Sequence, residues 1–428
     1  MIRRILAGTL SALCLMLSAC TGTRPQEQAD TRQVLRVALW DYDETAYDRE
    51  IIEAFERENP DIRVDVISYR SEIYTSSIQA LLESGAQVDV VYINQMAMLT
   101  DLMDHGFTMP LDAFVQQSGL DLSRFLYADA LRSADGELMA LPYRADRFVL
   151  YYNRDLFDAA GLAYPDADMT WEEFADTAYK LQSYLEEETE TPRYSVFSIY
   201  IPTHWSEFLT SAPFAVDTMD LDQLRRGIGM LLDLQERGAL VPVSEMRAQL
   251  GVQRLFESGN YGMYICGTWL MHYLLIDQLS GDCTMEWGVT TRPHWEGVEN
   301  TEAAWISALC INRNSTQTDT AWRFIQFVCG KPGAEIMADN LMLPGYWDAD
   351  ISDRLATYQQ AYDINTPLRS DSFAPPQPIS SAAENNARSA VLDAIGETVL
   401  GLHTLDQGME TVQQIQAMYQ ADSENFVE

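Results

Sequence analysis

The sequence predicts an α/β protein built on doubly wound sheets. Three observations carry that expectation. β-Branched apolar runs alternate with helical-period runs between residues 34 and 94. Polar or glycine-bearing turns separate them. Hydrophobic residues make up 47% of the chain and aromatics 11%, enough for a sizeable core. VLRVALW (34–40) is a strand, followed by the polar turn Asp41-Tyr42-Asp43-Glu44. Residues 46–59 place Ile51, Ile52 and Phe55 at helical spacing, and Asn59-Pro60 stops the run. IRVDVIS (62–68) alternates at period two, 72–85 reads as a helix ending in glycine, and VDVVYIN (88–94) is a third strand. A βαβαβ series makes a parallel sheet, with ligands outside the strands' carboxyl ends. Those ends carry Trp40 and Tyr42 on the first strand, Asn94 and Gln95 on the third.

Residues 141–157, LPYRADRFVLYYNRDLF, read as one strand-like run entering a turn. Thr170-Trp171-Glu172-Glu173 is a capping box opening a helix over 171–185, and the acidic stretch 186–190 reads as a solvated loop. Helices are expected over 220–237, closed by Gly238, and over 246–257. YGMYIC (261–266) is a strand, and Gly267-Thr268-Trp269 opens a helix over 268–279. WISALCINRN (305–314) is strand-like, and 320–330 is a helix stopped by Gly330. The tail places a Pro-rich loop (374–378) before helices near 381–400 and 405–420.

With 428 residues, the chain is long enough for two or three domains. Lys and Arg number 28 against 64 Asp and Glu, a net charge of −36. Such a surface repels polyanions, which excludes nucleic acid and docking by charge onto an anionic membrane. Acids gather in helix faces and turns such as 41–44 and 186–190, so the charge reads as a solubilising exterior. G-x-S-x-G, H-E-x-x-H and P-loop patterns are absent; Gly227-Ile228-Gly229 lacks a third glycine and sits inside a helix. The five His are scattered. No enzyme, cofactor or metal site is expected.

Met1-Ile2-Arg3-Arg4 and the apolar or small residues 5–19 read as a secretory signal, too short to span a ~30 Å hydrocarbon core. Leu17-Ser18-Ala19-Cys20 resembles a bacterial lipobox, which implies cleavage before Cys20, lipidation of its thiol and tethering to a membrane. Cys14 leaves with the signal. Cys266, Cys283, Cys310 and Cys329 remain, without metal-ligand spacing. Cys266 and Cys310 read as small buried hydrophobes, and a Cys310–Cys329 bridge stays open.

Several segments, in one order, resemble the carbohydrate-binding, maltose-binding-protein-like branch of the extracellular solute-binding proteins of ABC importers. LPYRADRFVLYYNRDLFDAAGL (141–162) resembles its hinge strand and YN-x-D-L-F segment, and Thr170-Trp171-Glu172-Glu173-Phe174 its TW-x-E-F helix start. FESGNYGMYICGTW (256–269), WRFIQFVCGKPGAE (322–335) and MLPGYWD (342–348) resemble further segments. The resemblance implies a two-lobe, periplasmic-binding-protein-like (type II) fold with a hinge. After a signal peptide (1–19) and a tether (20–33), it places an N-lobe at 34–143 and 305–345 and a C-lobe at 147–303 and 347–428. Hinge crossings fall near 142–146, 303–306 and 343–348. It also implies a monomer outside the cytoplasm, anchored through the Cys20 lipid, that captures a carbohydrate by hinge closure and presents it to permease subunits.

A sugar offers hydroxyls at its edge and C–H patches on its faces, so its site needs aromatic platforms and planar polar side chains. Trp40 and Tyr42 qualify by their strand end, against a core tryptophan. Asn94 and Gln95 qualify, against a simple turn. Arg144 and Asp146 face ligand or form an interlobe ion pair. Trp205 lies where maltose-type proteins place a platform. Gly267 admits close backbone approach at the helix start, and Trp269 matches the family's platform tryptophan. Trp305 follows the second crossing, and Glu384 and Asn385 open a C-terminal helix. Trp171 and Trp322 fit core helix faces, and Trp347 fits hinge packing. Asn94-Gln95 stands where maltose-type sites carry an Asp-Arg pair, so maltose is not implied. A polyamine-binding protein and a secreted glycoside hydrolase are the alternatives.

Overall fold

The computed structural model describes residues 31–188, 193–198, 215–242, 252–298, 304–362, 364–368 and 381–425. They form two five-stranded sheets with helices packed around them. In the first sheet, β1 (Gln33–Trp40) pairs in parallel with β2 (Ile62–Tyr69) and with β3 (Val90–Ile93). The connections are α1 (Ala46–Glu58) and α2 (Ser71–Glu83). Ile51, Ile52 and Phe55 of α1 are buried as their spacing predicts, and Phe55 meets Phe324 edge-on with ring centres 5.0 Å apart. α3 (Met96–Asp104) and α4 (Asp112–Ser118) follow β3.

The rest of this sheet departs from the parallel expectation. β9 (Trp305–Ile311) runs antiparallel between β3 and β4 (Leu141–Asp146), giving the order β2-β1-β3-β9-β4. Parallel neighbours need a crossover within the sheet. β9 instead arrives from the other sheet and enters from the opposite end.

The stretch 141–157 is divided between the sheets. β4 ends at Asp146, and β5 (Phe148–Asn153) pairs antiparallel with β7 (Tyr261–Gly267) and β8 (Trp287–Thr291) in the second. That sheet has the order β10-β8-β5-β7-β6, with β10 (Ile364–Asn365) and β6 (Tyr194–Phe197) at its edges. Every residue of β5 is buried: Val149 and Tyr151 enter one core, Phe148, Leu150 and Tyr152 the other. A central strand covered on both faces shows no polar alternation, so its boundary with β4 leaves no mark in hydropathy. α5 (Arg154–Ala160) then begins where a turn is expected, the Leu156 amide capped by the Asn153 side chain.

α6 (Trp171–Glu188) runs three residues into the expected acidic loop. Its capping box forms: Thr170 N donates to Glu173 Oε2 (2.9 Å), and Glu173 N donates to Thr170 Oγ1 (3.2 Å). α7 (Leu221–Glu236) precedes Gly238, which adopts a left-handed φ of 68°. Residues 252–258 form a 3-10 helix rather than the end of an α-helix. α8 (Leu270–Ser280), α9 (Thr318–Cys329), α10 (Lys331–Asp339) and α11 (Ala349–Ala361) follow, then α12 (Ala382–Val399) and α13 (Leu405–Asn425). The last two pack on α7 around Leu224, Ile228, Val391 and Val412.

The chain returns beside the first crossing. Gly345 N donates to Tyr143 O (2.8 Å) and Ala145 N to Leu343 O (3.1 Å). A Cβ on Gly345 would stand 2.7 Å from the Pro142 backbone, so glycine is what lets these segments touch. Cys266, Cys283, Cys310 and Cys329 are buried free thiols; no Cys310–Cys329 bridge forms, and the Cys329 thiol instead faces Leu141 O at 3.6 Å. Among the described residues, no helix is long and apolar enough to cross a membrane. Replacing Thr170 with Ala should lower stability by about 1 kcal/mol, seen as a lower urea midpoint; an unchanged midpoint would contradict the capping role.

Candidate functional site

Burial sorts the described tryptophans. Trp171, Trp287, Trp295, Trp322 and Trp347 are buried, while Trp40, Trp269 and Trp305 are half-buried. Those three converge from both sheets. Trp40 ends β1 and meets Tyr74 and Tyr92 edge-on. Trp305 opens β9, and its indole N–H donates to Asn94 O (3.1 Å). Phe148, at the start of β5, packs edge-on against Trp269 (5.5 Å) and Trp305 (5.6 Å).

Arg144 lies among them. Its guanidinium carbon is 5.9 Å from the Trp40 ring centre and 6.0 Å from that of Trp269. Nε donates to Asp146 Oδ2 (2.8 Å), Nη2 approaches the same oxygen at 2.7 Å, and Nη1 donates to the Tyr47 hydroxyl (3.1 Å). The Thr268 hydroxyl donates to Asp146 Oδ1 (2.8 Å), so one carboxylate ties β4 to the segment before α8. Arg144 and Asp146 are 6% and 1% exposed, which leaves the pair little water. Burial alone would lower the Arg144 pKa; Asp146, with Tyr47 and Tyr143, outweighs it and holds the group above its ordinary value.

Gly267 and Trp269 make one unit. The Trp269 ring lies across Gly267, where an added Cβ would fall 2.0 Å from it. The close approach expected at Gly267 is thus made by this ring. α8 begins at Leu270 rather than 268, and the Met271 and His272 amides are taken up by Thr268 O and Trp269 O (3.2 Å each). Asn94 and Gln95 do not form a simple turn: Thr75 Oγ1 donates to Asn94 Oδ1 (3.3 Å), and extended Gln95 heads α3. Tyr42 is half-buried, its amide donating to Ser68 Oγ (3.2 Å). Glu384 and Asn385 occupy the first turn of α12, which packs against α3. Burial, then Asp217, raises the Glu384 pKa against Arg388. Trp205 and Cys20 lie outside the described residues.

Several neighbours escape the sequence reading: Phe148, Tyr47, Asp48, Thr268, Tyr273 and Asp41. Tyr273 carries the clearest overlooked signal, four residues after Trp269 and so on the same helix face. Burial, and then Asp41, raise its pKa; Asp48 and Glu44 add to this, and Arg144 opposes. The acids Asp41 and Glu44 of the 41–44 turn therefore bear on Tyr273. Asp41 takes a left-handed φ of 49° and accepts Ser71 N (2.9 Å), which fixes that turn. Behind it, Asp48 accepts the Tyr143 hydroxyl (2.5 Å). Burial pushes its carboxyl up to about 6, partly offset by bonds from Tyr143 and Thr45 and by Arg144 and Arg49.

Two outcomes follow from this geometry. G267A should displace the Trp269 ring and change tryptophan emission while the far-ultraviolet circular dichroism stays native; unaltered emission would contradict the packing. Asp48 has a folded pKa above its ordinary 3.8, so folding binds a proton and the carboxylate's contribution to stability falls as pH rises from 3.8 to about 6. D48N removes that loss, so its melting temperature should gain on wild type across this window. A constant difference would contradict the shift.

Residues 50–347 match the family description of bacterial extracellular solute-binding proteins. A Brucella abortus protein named as a binding protein is 25% identical over 351 residues, 77% of this chain and 78% of that protein. The sn-glycerol-3-phosphate-binding periplasmic protein of Escherichia coli is 28% identical over 188 residues, 41% of this chain and 40% of that one. The crystal structure of a sugar transporter from Rhizobium etli, in an open conformation, is 27% identical with a TM-score of 0.67, over 90% of this chain and 99% of that one. The chain belongs to the bacterial extracellular solute-binding protein family.

Proposed function

We propose that this protein is a lipid-anchored binding protein of an ABC importer that captures a sugar or oligosaccharide between its two sheets and delivers it to a permease. The observation that carries the reading is the convergence of Trp40, Trp269 and Trp305, half-buried while the other described tryptophans are buried, around the Arg144–Asp146 pair. Half-buried aromatic rings beside fixed polar groups suit the C–H faces and hydroxyl edges of a sugar. The Rhizobium relative, named as a sugar transporter, supports the same class. In this reading the N-lobe comprises 34–143 and 305–345, and the C-lobe 147–303 and 347–428. Ligand touches both lobes only in the closed state, so its binding free energy shifts the open–closed equilibrium. Cys20 carries the lipid, residues 20–33 are the tether, and the protein works as a monomer.

A cationic solute such as a polyamine is the second reading, favoured by the acids Asp41, Glu44 and Asp48 acting on Tyr273. One titration separates the two. Neutral oligosaccharides should change tryptophan fluorescence with little dependence on salt, and W269A should weaken them by roughly tenfold or more. Spermidine binding that falls steeply with ionic strength would favour the cation instead. Unchanged sugar affinity in folded W269A would contradict the site.

A further inference from the structure

The charge of the cleft is set by a pairing rather than by its residue count. Arg144 lies between Trp40 and Trp269, and its guanidinium is committed to Asp146 and to Tyr47. Asp146 in turn accepts from Thr268, so the carboxylate is held from both sides. The next arginine, Arg147, reaches Thr366 Oγ1 (2.6 Å), beyond β10 at the sheet edge. The carboxylates of Asp41, Asp48 and Glu44 act on Tyr273, and Arg49 beside Asp48 is engaged with the backbone carbonyls Tyr42 O (2.8 Å) and Asp43 O (2.9 Å). The whole chain carries −36.

We propose that Asp146 is a specificity-determining residue: by holding Arg144 it cancels the positive charge between the platforms and makes the cleft reject phosphorylated or carboxylated ligands. This rests on the reading of the cleft as the sugar site. An anion entering it would face these acids, while the Arg144 guanidinium between the platforms already has its carboxylate. Removing the Asp146 charge leaves Arg144 buried and uncompensated, and an anionic ligand then restores the balance that the protein lost. A neutral sugar gains nothing from that change. Charge selectivity should therefore invert at this single position.

Calorimetric titration of wild type, D146N and W269A with maltose, glucose 1-phosphate and glycerol 3-phosphate tests this, with circular dichroism reporting the fold. Wild type should not bind either phosphate at millimolar concentration. D146N should gain about tenfold or more for glucose 1-phosphate, and the D146N/R144M double variant should lose that gain. A folded D146N without the gain overturns the inference. So does wild-type binding of glucose 1-phosphate as tight as that of maltose and lost in W269A, a result that keeps the cleft as the site and needs no variant at position 146. Maltose binding that W269A leaves intact would remove the cleft reading itself, and the inference with it.

Discussion

A buried ion pair at the point where the chain leaves one sheet for the other organises this molecule. Taking two charges out of water is costly, and removing one partner of such a pair typically costs about 3–5 kcal/mol. Arg144 and Asp146 meet that cost by saturation: two guanidinium nitrogens face one carboxylate oxygen, Thr268 supplies the other, and Tyr47 takes a further N–H. Rings of Trp40 and Trp269 flank the guanidinium at distances where a cation and an aromatic ring attract by about 1–2 kcal/mol. Asp146 is the last residue of β4, and Phe148 is the first of β5. The pair therefore sits where any rotation of one sheet against the other is felt.

The aromatic group extends that coupling. Trp305 starts a strand of the first sheet, Phe148 a strand of the second, and Trp269 follows a strand end of the second. Each is fixed by something other than ligand: Trp305 by Asn94 O, Trp269 by the missing Cβ of Gly267. Rings positioned before ligand arrives need not be ordered by it, which keeps the entropy of binding small. At the crossing, Gly345 presses against Pro142 with backbone bonds on either side.

What the sequence made legible follows from periodicity. The βαβαβ start, the capping box at Thr170 and Glu173, and the terminating glycine Gly238 each leave a local signature, and each forms. The division of 141–157 leaves none, because β5 is apolar on both faces, and the antiparallel insertion of β9 depends on pairing that no local window contains. The same logic governs the site. Trp40 and Trp305 were visible as aromatic residues at strand ends, and Trp269 as one beside a glycine. Tyr47 and Asp48 looked like ordinary first-turn residues of a helix, and only the three-dimensional approach of Tyr143 and Arg144 gives them a role. Glu384 and Asn385 lie in the first turn of a helix that packs against α3.

In the proposed function, ligand sits in the space between Trp40, Trp269 and Trp305. A crystal structure of the protein with the oligosaccharide that most raises its melting temperature tests this directly, since stabilisation by ligand follows its affinity. A sugar ring should lie against Trp269 with hydroxyls bonded near Asp146 and Asn94, and Trp40 and Trp305 should be covered. Density for the sugar elsewhere, with these three rings unchanged and solvent-facing, would contradict it.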